Sequence, residues 1–160
     1  MALTSAKIRQ DTDNKSLRIN EMFLSIQGES IKTGLPTAFI RFSGCPLRCQ
    51  YCDTTYAFHN GKKKTIHEII QTITKYGTRH VTVTGGEPLA QPVCLDLLSR
   101  LCDEDYQVSL ETSGAMDIAE VDPRVMKIVD IKTPASGEQD KNRFENLACL
   151  THLDQLKFVL

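Results

Sequence analysis

The sequence predicts an α/β domain, a partial (βα) barrel of mostly parallel strands that stays open on one side. Short β-branched and apolar runs alternate with helical patterns, which is the pattern of right-handed βαβ crossovers. The strand-like runs are nearly continuous in apolar residues, as in strands buried on both faces. The chemically unusual segments, Cys45 to Cys52, Thr84-Gly85-Gly86-Glu87-Pro88, Glu111-Thr112-Ser113-Gly114 and Lys132-Thr133-Pro134, each follow the C-terminal end of a predicted strand. In α/β barrels that end carries the chemistry. A doubly wound sheet would also place loops there and is the alternative architecture.

Residues 1–16 form a polar leader, expected to be loose, and residues 17–160 form one domain. Strands are predicted over 18–26 and 37–42, followed by the cysteine loop. Lys62-Lys63-Lys64 reads as a solvated turn. A helix is predicted over 65–76, with Ile66, Ile69, Ile70 and Ile73 on one face. Thr65 caps it, Glu68 completes a capping box, and Gly77 stops it. A strand over 80–84 ends at Gly85-Gly86. A helix over 93–102, a strand over 107–111 and a strand over 127–132 follow, then a helix over 141–150 and a last strand over 155–160.

The chain has 160 residues, 41% of them hydrophobic, and a net charge of -1. That is enough for one domain with a core. Interspersed charges leave no electrostatic footprint for nucleic acid. No segment approaches the roughly 20 apolar residues that span a bilayer, and residues 1–15 contain no apolar signal region. A cytoplasmic protein is expected, so six cysteines point to metal rather than disulfides.

Cys45, Cys49 and Cys52 crowd into eight residues, with Gly44 and Pro46 bending the backbone. Thiolates this dense hold zinc or an iron–sulfur cluster. A structural zinc site wants four protein ligands, and only His59 lies nearby, without a second pair. Three ligands suit a [4Fe–4S] cluster whose fourth iron is open. A zinc knot with a remote ligand remains the alternative. Cys94, Cys102 and Cys149 sit in apolar patterns and are expected to pack in the core. His59, His67, His80 and His152 have no ligand or triad context.

The spacing CxxxCxxC followed by Gly-Gly-Glu-Pro resembles the radical S-adenosylmethionine (SAM) enzymes. Three further segments, Glu21 to Ser30 (EMFLSIQGES), Phe39 to Cys45 (FIRFSGC) and Cys52 to Tyr56 (CDTTY), resemble the 7-carboxy-7-deazaguanine synthases of queuosine biosynthesis. The resemblance implies a lyase of a tRNA-modification pathway. It would convert 6-carboxy-5,6,7,8-tetrahydropterin to 7-carboxy-7-deazaguanine with loss of ammonia, through a deoxyadenosyl radical that takes the hydrogen at C6. Cys45, Cys49 and Cys52 would hold the cluster, and the Thr54 hydroxyl a Mg²⁺. Tyr51, Cys52, Asp53, Gly86, Glu87, Ser113 and Lys132-Thr133-Pro134 would contact SAM, the last segment standing where many members read Ser-Pro-Lys. Ile26, Gln27, Gly28, Arg41 and Thr84 would bind the pterin. No acid–base residue is assigned.

The family also implies an external one-electron donor of flavodoxin or ferredoxin type and a homodimer. Its members are longer, so a further C-terminal strand and tail are expected beyond Leu160, as if this chain were truncated. A glycyl-radical activating enzyme shares the cysteine motif, and a zinc-stabilised binding module is a non-enzymatic reading. The IQGES and CDTTY segments argue against the activating enzyme.

Overall fold

The computed structural model describes residues 2–160; Met1, at the start of the expected leader, lies outside the described residues, as do the side chains of residues 2–6 and 8. Helix α1 spans Ala2–Asp13, strand β1 Ser16–Ile26, β2 Pro36–Phe42, β3 Lys62–Thr65 and helix α2 Ile66–Thr74. Strand β4 spans His80–Gly85, helix α3 Cys94–Asp103, β5 Gln107–Thr112, β6 Met126–Asp130 and β7 Gln155–Lys157. The seven strands form one sheet in the order β3-β1-β2-β4-β5-β6-β7. From β2 to β7 the neighbours are parallel. The edges β3 and β7 do not pair with each other, so the expected open (βα) sheet forms and no barrel closes.

Strand period places alternate residues on opposite faces. Ala38, Ile40 and Phe42 of β2, Val81 and Val83 of β4, Val108 and Leu110 of β5 and Val129 of β6 join the hydrophobic core. Helices α2 and α3 cover that face with Ile66, Ile69, Ile73, Leu97, Leu98 and Leu101, all buried. The capping box of α2 is present, with Glu68 N donating to Thr65 Oγ1 and Thr65 N to Glu68 Oε2. The inner face carries Phe39, Arg41, Thr82, Thr84, Ser109, Glu111 and Asp130 instead. It is polar, unlike the Val, Ile and Leu layers that fill a closed barrel.

The secondary structure departs from expectation in four places. The leader is not loose coil: residues 2–13 are helical, and Asp13 at the end of α1 accepts from Arg100 Nε of α3 at 2.9 Å. Lys62-Lys63-Lys64 is not a turn but edge strand β3, antiparallel to β1, where lysines discourage further pairing. Residues 141–150 form no α-helix; they fold as 3₁₀ turns over Gln139–Lys141 and Phe144–Cys149. Asn142 and Asn146 bind remote backbone, at Lys132 and at Gly114, Met116 and Ile118. Such bonds compete with a helix. The last strand is short, Gln155–Lys157.

Candidate active site

The cysteine loop leaves the C-terminal end of β2 through Gly44, whose φ of 92° needs a residue without a Cβ. Gly44 N donates to Ala57 O, and Gly44 O accepts from Glu87 N at 2.8 Å. Further on, Arg48 N donates to Glu138 Oε1 at 2.6 Å and Gln50 N to Ser136 O at 2.9 Å. Arg48 Nη1 donates to both Cys45 O and Leu47 O. The loop is therefore tied to three other segments at fixed points. Its thiols are free and half-buried. Burial pushes the Cys45 thiol up, with the Glu87 charge adding to it. Burial also raises the Cys49 thiol, against the pull of Lys132.

These thiols open onto a cleft of about 470 Å³ at the C-terminal end of the sheet. Among the predicted residues, Cys45, Cys49, Cys52, Tyr51, Asp53, Thr54, Gly86, Ser113 and Lys132 line it, as do Ile26, Gln27, Gly28, Arg41 and Thr84. Glu87, Thr133 and Pro134 do not. Glu87 is fully buried behind the wall, where it accepts from Leu89 N at 3.0 Å, Thr112 Oγ1 at 2.9 Å and Ser113 N at 2.7 Å. Thr133 Oγ1 donates to Val159 O, and Pro134 opens the short turn that holds Gln50. Gly86 faces the cleft edge, but the space its missing Cβ leaves is filled by Gly44 O, 2.0 Å from where that Cβ would lie.

Arg41 is fixed by a carboxylate and two aromatic rings. Its Nε donates to Glu21 Oε1 at 2.7 Å, and its guanidinium lies 5.9 Å from the ring centroids of both Phe23 and Tyr56. The free edge of that planar fork suits a carboxylate. Phe23 and Phe39 stack beside it with centroids 5.1 Å apart. Thr54 Oγ1 donates to Asp53 Oδ1 at 2.7 Å, pairing two hard oxygens of the kind Mg²⁺ accepts.

The structure adds residues that sequence reasoning missed. Asp130, at the end of β6, binds Lys132 Nζ through Oδ2 at 2.8 Å. Its Oδ1 and the hydroxyl of Tyr51 are buried without a partner among the described residues. Buried polar atoms are rarely left unpaired, and both line the cleft, so the cleft is built for a polar ligand. Among the described residues no three His, Cys, Asp or Glu side chains close on one point. The free thiols and the polar cleft fit a cluster with a polar ligand beside it.

Glu111, on the inner face of β5, accepts from Thr84 Oγ1 at 2.8 Å. Lys157 meets Glu29 at 2.5 Å across the cleft mouth. The alternation Val108, Ser109, Leu110, Glu111 was a legible signal that a carboxyl points inward. Burial raises the Glu111 pKa above its ordinary 4.5; Thr84 opposes this, Glu29 adds to it, and Lys157 and Arg41 pull it back. For an acid raised on folding, the stabilising contribution is complete below the unfolded value and is lost as pH rises through the folded one. Glu111→Gln should therefore remove a loss of thermal stability that the wild type shows just above pH 4.5. Tm against pH for both proteins reads this, and parallel curves would refute it.

Residues 39–130 match the model of the radical SAM superfamily. Over 126 residues the chain is 50% identical to the 7-carboxy-7-deazaguanine synthase of Chlorobaculum tepidum, covering 79% of this chain and 57% of that protein. It is 44% identical over 146 residues to the synthase of Koribacter versatilis, covering 90% of this chain and 65% of that protein. The chain thus spans less than two thirds of the length of either relative. The crystal structure of QueE from Escherichia coli superimposes with a TM-score of 0.74 at 22% identity, covering 94% of this chain and 88% of that one. At that identity the match establishes the fold. Among the described residues no helix is long and apolar enough to cross a membrane.

Proposed function

We propose, from the premise that this chain belongs to the 7-carboxy-7-deazaguanine synthase family of the radical SAM superfamily, that it converts 6-carboxy-5,6,7,8-tetrahydropterin to 7-carboxy-7-deazaguanine with loss of ammonia. The observation that carries this reading is the gathering of three free thiols, a preorganised arginine and buried unpartnered polar atoms in one cleft. Cys45, Cys49 and Cys52 would hold the [4Fe–4S] cluster. The chemistry supplied there is reductive cleavage of SAM to a 5′-deoxyadenosyl radical.

The chain's own residues then bind and orient. Tyr51, Asp53, Ser113, Asp130 and Lys132 line the same cleft as the thiols and are assigned to SAM. Arg41 receives the pterin carboxylate, and the Phe23–Phe39 pair offers an apolar wall to a flat ring. Thr84 and Glu111 supply a hydroxyl and a carboxyl to the heterocycle's amide and amino edge. Thr54, with Asp53, offers Mg²⁺ its oxygens. An external flavodoxin- or ferredoxin-type donor, a homodimer, a cytoplasmic location and a place in queuosine biosynthesis complete the reading by family likeness.

Anaerobic reconstitution with iron and sulfide tests it, followed by incubation with SAM, reductant and the carboxy-tetrahydropterin, with and without Mg²⁺. Mass spectrometry should show the deazaguanine, formed faster with Mg²⁺. SAM cleavage without pterin turnover would overturn the reading and favour a glycyl-radical activase. Bound zinc without iron or sulfide would favour the binding module.

A further inference from the structure

Gln27 sits where the family likeness places a pterin contact, yet each of its polar groups already bonds within the protein. Its backbone N donates to Leu35 O at 3.0 Å, and its backbone O accepts from Gly34 N at 2.8 Å. In the side chain, Nε2 donates to Thr82 Oγ1 at 3.0 Å and Oε1 accepts from Glu29 N at 3.1 Å. The residue is 3% exposed. Thr82 Oγ1 lies 2.9 Å from Ser109 Oγ, which is placed to donate to Val81 O at 3.4 Å.

The direction of this chain of bonds follows from its far end. If Ser109 gives its proton to Val81 O, it accepts from Thr82. Thr82, having spent its one proton, accepts from Gln27 Nε2. That leaves Gln27 Oε1 for the Glu29 N–H. The Glu29 N–H requires the same orientation, since only Oε1 can accept it, so the amide ties the start of the 27–35 turn to the hydroxyls of β4 and β5. Thr82 and Ser109 also line a separate cavity of about 270 Å³ toward the other end of the sheet, so the row forms a floor beneath the cleft.

We infer that Gln27 is a positioning residue, and that the buried row Gln27–Thr82–Ser109 holds the 27–29 loop in its ligand-binding shape. Gly28 and Glu29, which line the cleft, are the groups it presents. The link to pterin binding rests on the proposed function; the link to loop shape does not.

Thr82→Val keeps the side-chain volume and removes the hydroxyl, and Thr82→Ser restores the hydroxyl. Amide hydrogen exchange of residues 27–35, without ligand and relative to residues 107–112, reads the loop alone. Thr82→Val should speed it about tenfold, the effect of losing one net buried hydrogen bond, and Thr82→Ser should not. Steady-state kinetics should show a KM for the pterin raised about tenfold with kcat nearly unchanged, as for lost uniform binding. SAM cleavage without pterin should stay as in wild type. Unaltered exchange in Thr82→Val overturns the positioning role, whatever the pterin result. Faster exchange with unaltered KM overturns its link to the substrate. A wild type that makes no deazaguanine refutes the proposed function instead, and the exchange measurement still decides the role of Gln27.

Discussion

Gly86→Ala should leave the protein unable to hold its cluster. A Cβ at Gly86 would lie 2.0 Å from Gly44 O, 2.6 Å from Gly44 C and 3.1 Å from Cys45 Cβ. Two of these are backbone atoms and cannot rotate aside. Gly44 O also accepts from Glu87 N at 2.8 Å, so pushing the carbonyl away breaks the bond that joins the two loops. The strain reaches or exceeds about 3 kcal/mol, the upper part of the usual range for overpacking. Its cheapest release is movement of residues 44–45, which displaces the first thiol from the other two. Iron and sulfide content after anaerobic reconstitution should fall to a small fraction of wild type, together with the absorbance near about 400 nm of sulfide-to-iron charge transfer. Gly28→Ala is the control, because its added Cβ meets nothing within 4 Å; it should load iron normally. Normal loading in Gly86→Ala would show that the loop yields where its backbone contacts say it cannot.

The same position shows why the sequence was readable in one respect and not in another. Cys45, Cys49 and Cys52 are close in the chain, so their gathering at one cleft follows from spacing alone. The purpose of Gly86 depends on Gly44, which lies across a parallel strand pair, so no local pattern reveals it. The space left by its missing Cβ is taken by the Gly44 carbonyl. Arg41 and Thr84 both line the cleft because the period of a strand fixes which side chains share a face. Glu29 and Lys157, 128 residues apart, meet where the loop after β1 and strand β7 border the same cleft. The helix expected over 141–150 had a plausible apolar pattern in Leu147, Ala148 and Leu150. Asn142 and Asn146 overrode it by satisfying loop carbonyls and amides elsewhere, and their partners are invisible locally. The helical leader was missed for the same reason, since its polar face is answered by Arg100 on another helix.

Glu87→Gln is expected to have the second large effect, and it separates positioning from direct contact. The family likeness assigns Glu87 to SAM, but the carboxylate is fully buried behind the cleft wall and accepts three hydrogen bonds within the protein. Two of the donors are backbone N–H groups, of Leu89 and Ser113. A glutamine has the same shape and one acceptor oxygen. With its NH₂ toward Ser113, two donors face each other. With it toward Leu89, that N–H is orphaned while Thr112 turns to accept. Either way one buried backbone donor goes unpaired, at about 1–3 kcal/mol. Neutralising a buried carboxylate regains some solvation energy. That regain is small here, because three donors already solvate the charge, so the loss prevails. A net cost near 2 kcal/mol would lower Tm by about 4–8 °C in a domain this size. The same change loosens Ser113 and Thr112 at the cleft, so SAM affinity should fall about tenfold. Iron content should stay normal, since no bond to the cysteine loop runs through the Glu87 side chain. Calorimetry and SAM titration of the reconstituted protein read both effects. Weaker SAM binding at unchanged Tm would mean that Glu87 touches SAM itself, whereas loss of both together is the mark of a carboxylate that works through Ser113.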